Sequence, residues 1–407
     1  IVRPVASLAN AVRSGCNPNP AHGTRALIRR LAIPAFCVAL LMIGSPYARE
    51  APARHDFAID APVQPMAVRV DGRWQVSYEL HFTNTSRSEL RLTRATVLGE
   101  PNETPLADLS GAVLAADLAP VNTIGHTKAD PVLIAPGQQA VLFLDIVVPG
   151  PQVPHEFRHR FSYTTAGNNK ALTQWSDELA VDSTKPSLIA PPLRGGPWVA
   201  IHSPAWPRGH RRVFYTRSGH ARLPGRFAID FVKVDDKGRM TAGDPDLVGD
   251  AFGYGDDVLA VADATVAAVH DGMDEASRIS ARTTPPAGED AGNYVALRLP
   301  DGRYAFYEHL KKGSVRVAAG DKVRTGEVIG ALGFSGESTG PHLHFHVADG
   351  STPLGAEGRP FEIRSYRKLG HYDDISKLGS PWVPTVDGKS ATRVGEWPDG
   401  NDVVSFP

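Results

Sequence analysis

Three histidines, His342, His344 and His346, stand two residues apart in the stretch GESTGPHLHFHVADG, residues 336–350. Side chains two apart on a β-strand share a face. His alternating with Leu, Phe and Val has the period of a half-buried strand. One face of such a strand carries imidazoles, the commonest protein metal ligands and general acid/bases near neutral pH. A polar, solvated face would explain one such histidine more readily than three in register beside a Gly-Pro turn.

Two more places offer matching chemistry. RFAIDF sets Asp230 in an otherwise apolar strand, where a buried carboxylate is costly unless it is paired or bound to metal. YEHL sets His309 at the end of an aromatic strand. A hydrolytic zinc site needs three protein ligands with an open position, a group that takes a proton from water and a group that stabilises the oxyanion. No HExxH is present, so the base would be a histidine.

YEHL followed by VAAGDKVRTGEVIGALGFSGESTGPHLHFHV resembles the C-terminal half of the M23 family of zinc metallopeptidases, with their lysostaphin-like or LytM-like fold. The likeness extends back through GNYVALRLPDGRYAFYEHL and RFAIDF and covers residues 196–366. It implies an antiparallel β-fold with Zn2+ in a groove, and cleavage of peptide crosslinks in peptidoglycan or of another peptide substrate. By motif, Asp230 and His344 would ligate zinc and His309 and His342 would be the catalytic pair. His346 lies one alternation further on, where the family often has Glu, and is read as a rim residue or one standing behind the ligands.

The chain departs from the family at the first ligand. The usual pattern puts a His four residues before the Asp, and here that position is Arg226, which stays protonated and cannot bind zinc. His210 in RGHRRVFYT and His220 in SGHARLPGRF are the upstream candidates. A hairpin through RRVFYTRSGHARLPGRFAID would return His210 to the side of Asp230, so His210 is taken as the third ligand and His220 as the alternative.

Around these residues the chain reads as mainly β. MAVRVDGRWQVSYELHFTN is two strands about Asp71-Gly72, a strong hairpin dipeptide, and LRLTRATVL, QQAVLFLDIVV and FRHRFSYT follow with similar alternation. Residues 60–182 are expected to form an immunoglobulin-like β-sandwich, whose scattered histidines (His81, His126, His155 and His159) suit packing or surface roles. VDSTKPSLIAPPLRGGPW, residues 181–198, is expected to be a linker. Residues 196–366 should form the antiparallel peptidase domain, and 367–407 an irregular tail. An insertion at 273–289 should border the groove.

The first fifty residues have a different character. RALIRRLAIPAFCVALLMIGSPYARE has the n-, h- and c-region order of a secretory signal, and its apolar run of fourteen residues, 31–44, is short for a membrane span of ~20. Residues 1–48 are expected to be a signal peptide with an over-extended start, because the chain begins with Ile; the mature form would be periplasmic or secreted, with no stable membrane span. Removing them takes five Arg and no acid from 43 Lys+Arg and 44 Asp+Glu, leaving a formal charge of −6. Nothing in that balance points to nucleic acid. Cys16 and Cys37 leave as well, which excludes a thiol nucleophile in the mature form.

Three other classes compete with this reading. Gly336-Glu337-Ser338-Thr339-Gly340 matches GxSxG, but a serine-hydrolase elbow needs a following helix, and Pro341 with an alternating strand follows. AAGDKVRTGEVIGALG is similar to the hairpin of biotinyl and lipoyl carriers, without the Met-Lys-Met tip. A catalytically degenerate M23 domain that binds cell wall or activates an amidase is the main alternative, motivated by Arg226.

Overall fold

Asp71 and Gly72 turn the chain with φ of 47° and 75°, the double left-handed geometry that joins twisted strands through two residues. The strands Met66–Val70 and Arg73–Asn84 pair on either side of that turn, Val70 opposite Arg73. The computed structural model describes residues 55–121, 130–203, 206, 209–385 and 391–407. The expected leader, Cys16, Cys37 and His126 lie outside the described residues.

Residues 57–180 are built from two antiparallel sheets. In one, Arg73–Asn84 runs beside Gln139–Val148 through ten consecutive pairs, with Phe57–Asp60, Met66–Val70 and Leu118–Pro120 at its flanks. In the other, Leu90–Gly99 lies between Glu156–Thr165 and Thr104–Ser110. Alternate residues of both sheets, among them Val76, Tyr78, Phe82, Leu92, Val97, Leu142, Leu144, Phe157 and Phe161, form one buried cluster. Period-2 sequences bury one face each and gain most when two such faces meet. The arrangement is a β-sandwich, and we keep its immunoglobulin-like topology, like the boundaries 60–182 and 196–366, as a proposal.

The remainder is organised by a long antiparallel sheet. Its central run is Ala264–His270, Tyr294–Arg298, Tyr304–Glu308, Leu343–Ala348, Ile229–Lys233, Gly195–Ile201, Asp402–Phe406 and Tyr366–His371. Leu343, Phe345 and Val347 enter the main core with Ile229, Phe231, Tyr307 and Leu297; full burial of each such side chain contributes about 1.5–3 kcal/mol. The alternation in HLHFHV therefore has its expected outcome on the apolar face. The histidine face is not solvated, because His344 and His346 are both buried.

Two expectations are corrected. The stretch read as a linker contains two strands: Ser187–Ile189 pairs in parallel with Phe361–Ile363, and Gly195–Ile201 is a central strand. Its Pro and Gly residues mark a β-bulge and turns. The tail is not irregular, since Asp402–Phe406 pairs with Gly195–Ile201, and Val404 and Phe406 belong to the main core. Its short, Pro-interrupted apolar runs hid strands whose partner lies some two hundred residues away. Met66, Val68 and Val70 of the first hairpin also join this core, and Ala53–Pro407 forms one compact unit. Among the described residues no helix is long and apolar enough to cross a membrane.

Candidate functional site

Three neighbouring strands lay a row of chemistry across the sheet. Asp230 pairs with His344, and His344 pairs on its other side with Glu308. His344 Nδ1 lies 2.9 Å from Asp230 Oδ1. His210 Nε2 lies 2.9 Å from the other oxygen, Oδ2. The donor atoms of His210, Asp230 and His344 all fall within 4.8 Å of one another, so two nitrogens and a carboxylate converge, a set that suits a divalent transition metal.

His210 opens the short 3-10 turn His210–Arg212, and a short hairpin, Tyr215–Arg217 with His220–Arg222, follows. The chain then returns through the 3-10 turn Pro224–Phe227 into the strand of Asp230. The hairpin thus brings His210 to Asp230. His220 stands exposed at the hairpin end, opposite Arg217.

His309 and His342 stand beside the donor set. Their ring centroids are 4.9 Å apart, and His309 is 5.8 Å from His344. His309 Nδ1 is 2.9 Å from the Ser335 carbonyl oxygen, and His342 Nδ1 is 2.7 Å from that of Gly340. A ring nitrogen facing a carbonyl must carry the proton and donate it, which leaves each Nε2 for the groove. His342 Nε2 lies 3.2 Å from Asp230 Oδ1. His309 adopts a left-handed φ of 61°, an uncommon conformation for a residue with a side chain and one found at functional sites.

The electrostatics follow from burial and crowding. Burial opposes ionisation of Asp230, but His210 and His342 outweigh it by charge and hydrogen bonding, holding the carboxylate well below its usual range. Burial, then the charges of His342 and His344, push His309 well below the usual imidazole value. Burial and the neighbouring His210 lower His344 to about 4. His342 moves the other way: burial is outweighed by Asp230, and its pKa rises. The crowded cluster therefore keeps several imidazoles neutral at pH 7, the form in which they bind metal or accept a proton.

His346 is not on a rim. It is buried, stacked on Phe306 at 4.7 Å, with its Nδ1 3.2 Å from His344 Nε2 and 3.6 Å from Glu308 Oε1. Glu308 was not anticipated. Burial, then Asp230 and Asp290, raise its carboxyl to about 8. An acid inside the aromatic strand YAFYE was the available signal, the same one that pointed to Asp230. A groove of about 650 Å³ runs over these residues, with Trp206, Tyr215, Asp290 and Leu354 in its walls and Arg282 and Thr284 from the 273–289 insertion at its edge. Ser338 Oγ donates to Gly340 O within a turn that leads into a strand, which is no nucleophile elbow.

Arg226 is buried and turned away from the donor set. Its Nε donates to Glu79 at 2.8 Å and its Nη2 to Glu357 at 3.1 Å. Glu79 also accepts from Arg211 Nε at 2.8 Å. Burial opposes its charge, but the two guanidinium groups lower its pKa overall.

Residues 250–356 match the model of Peptidase family M23, a range that includes His309, His342, His344 and His346 and leaves out His210 and Asp230. Lysostaphin of Staphylococcus simulans is 47% identical over 83 residues, 19% of this chain and 16% of that protein. The DD-carboxypeptidase/endopeptidase Mpg of Neisseria meningitidis is 43% identical over 63 residues, 16% of this chain and 14% of that protein. The match thus spans about a seventh of the length of these curated relatives. Among solved structures, the catalytic domain of lysostaphin from Staphylococcus simulans aligns over 41% of this chain and 88% of its own, at 19% identity and a TM-score of 0.23. The family model thus covers Tyr304–Glu308 and the HLHFH segment but not the strand of Asp230, and over residues 250–356 the chain is similar to peptidase family M23.

Proposed function

We propose that this protein is a zinc-dependent endopeptidase that hydrolyses peptide bonds in peptidoglycan crosslinks, in the periplasm or outside the cell. The observation that carries the reading is the convergence of His210, Asp230 and His344 within 4.8 Å, beside two histidines whose Nδ1 atoms are held by backbone carbonyls. The donor chemistry fits zinc: two imidazoles and one carboxylate, His344 buried and the other two half-buried, drawn from three separate segments. Similarity to enzymes named as peptidoglycan endopeptidases supports the substrate class; ShyC of Vibrio cholerae, a peptidoglycan DD-endopeptidase by name, is 43% identical over 54 residues.

His210, Asp230 and His344 would hold the ion, which when bound supplies a Lewis acid that polarises a peptide carbonyl and acidifies water. His309 and His342 offer Nε2 to the groove. One, neutral, takes the proton of the attacking water on Nε2, and the other, in its protonated form, donates a hydrogen bond from Nε2 to the oxygen that becomes negative as the carbonyl carbon turns tetrahedral. The protonated histidine then returns its proton to the leaving amine. Burial of the cluster keeps these hydrogen bonds from competing with water. Arg226 does not mark a dead site on this reading, because His210 occupies the place beside Asp230.

The test is zinc per chain in the purified protein and in its His210→Ala and His220→Ala variants, with release of new amino groups from purified peptidoglycan. About one zinc, kept in H220A and lost or weakened in H210A together with amine release, is the expected result. A wild-type protein that takes up no zinc after reloading would overturn the reading in favour of a cell-wall-binding or amidase-activating module.

A further inference from the structure

We infer that the N-terminal sandwich is a working part of the metal site: Glu79 and Asp145 position His210, acting through Arg211 and Arg226. The inference rests on the zinc reading above and adds to it residues from a part of the chain that the family model does not reach.

His210 lies on one 3-10 turn, too short a piece of structure to fix a ligand by its own hydrogen bonds. What fixes it is the neighbouring residue. The Arg211 side chain is buried, and its contacts come from the sandwich: Glu79 Oε1 at 2.8 Å, the Tyr78 and Leu144 carbonyls each at 2.9 Å, and Asp145 Oδ1 at 2.6 Å. Arg212 reinforces the attachment, donating to the Ala116 carbonyl at 2.7 Å and lying over the Phe143 ring at 4.5 Å. Phe214 packs against His81 and Phe143 of the same sheet.

The other flank is tied to the same carboxylate. Gly225 lies directly against His210, where an added Cβ would be 2.7 Å from the His210 Cβ and carbonyl oxygen. The next residue, Arg226, donates to Glu79 Oε2 at 2.8 Å. One buried carboxylate therefore joins the turn that carries His210 to the turn that backs it. A planar guanidinium with fixed donor directions transmits position in a way a flexible ammonium does not. A network of this kind holds one geometry only while every member is paired. Arg226 cannot be a ligand, and instead it braces the residue that took the ligand's place.

The experiment measures zinc affinity by competition with a chromophoric chelator, using the full chain, for wild type, Glu79→Gln, His210→Ala and the double variant. Cooperative thermal unfolding of each variant checks that it is folded. The expected result is a zinc affinity about 10–100-fold weaker in E79Q, the range for groups that orient metal ligands. In the H210A background, E79Q should cause no further loss. A merely structural role for Glu79 would weaken binding by the same factor in both backgrounds, and that result overturns the inference, as does a folded E79Q with wild-type affinity. If E79Q does not fold, Asp145→Asn, which contacts Arg211 from the solvent side of the network, is judged by the same two comparisons. Wild-type protein without zinc affinity would remove the metal reading and this inference together; wild-type affinity with E79Q and D145N unchanged removes only the inference.

Discussion

Nε2 of His344 lies 3.2 Å from Nδ1 of His346, on the side of the ring away from Asp230. If a metal takes Nδ1 of His344, Nε2 keeps its proton and needs an acceptor, which His346 supplies. Phenylalanine at 346 would keep the stack on Phe306 and delete the acceptor; glutamine would keep an acceptor. His346→Phe is expected to weaken zinc binding about 10–100-fold, and His346→Gln markedly less. Chelator competition on both variants decides it, and equal affinities would show that only packing matters at 346.

His309 and His342 touch the groove but donate through Nδ1 to backbone. Alanine at either position should lower peptidoglycan hydrolysis by about 10²-fold or more while zinc per chain stays at the wild-type value. A fully active variant would move the proton-transfer role to another group.

Glu308 gives stability a pH dependence of known sign. Its carboxyl is raised from 4.5 to about 8 in the folded chain. Between those values the folded state holds a proton that the unfolded state has released, so the Glu308 contribution falls as pH rises through the window. Gln resembles the protonated acid. In metal-free protein, Glu308→Gln should melt close to wild type near pH 5 and above it near pH 8. Melting curves at both values test this, and a difference that shrinks with pH would contradict it.

Gly225 has no room for a methyl group. Gly225→Ala would place Cβ 2.7 Å from the His210 carbonyl oxygen and Cβ, so the 3-10 turn must shift. We expect weaker zinc binding and a stability loss of about 1–3 kcal/mol, the ordinary cost of overpacking. Gly272→Ala, with nothing within 4 Å of its added Cβ, is the control. Affinity retained in G225A would mean that His210 is free to move with its turn.

Removing the Arg226 guanidinium, as in Arg226→Met, would leave Glu79 and Glu357 short of a buried partner. Losing one member of a buried ion pair costs about 3–5 kcal/mol. Chemical denaturation should register that loss even with zinc absent, because it does not depend on the metal. A variant as stable as wild type would show that the network adds nothing to the fold.

Local pattern determined a good part of this protein. The alternation in HLHFHV, the acid inside RFAIDF and the Asp71-Gly72 hairpin are properties of a few adjacent residues, and the strand period of two dictates which side chains share a face. Those rules put Asp230 and His344 on strands and made the M23 likeness visible. What the tertiary structure decided were the long-range choices. It brought His210 and not His220 beside Asp230, buried His346 behind His344, turned Arg226 toward Glu79, and drew Gly195–Ile201 and Asp402–Phe406 into one sheet. Apart from the hairpin that returns His210 to Asp230, these depend on chain segments far apart in sequence being closed on one another. Periodicity reports the face a residue occupies, and only packing against distant segments sets what stands opposite it.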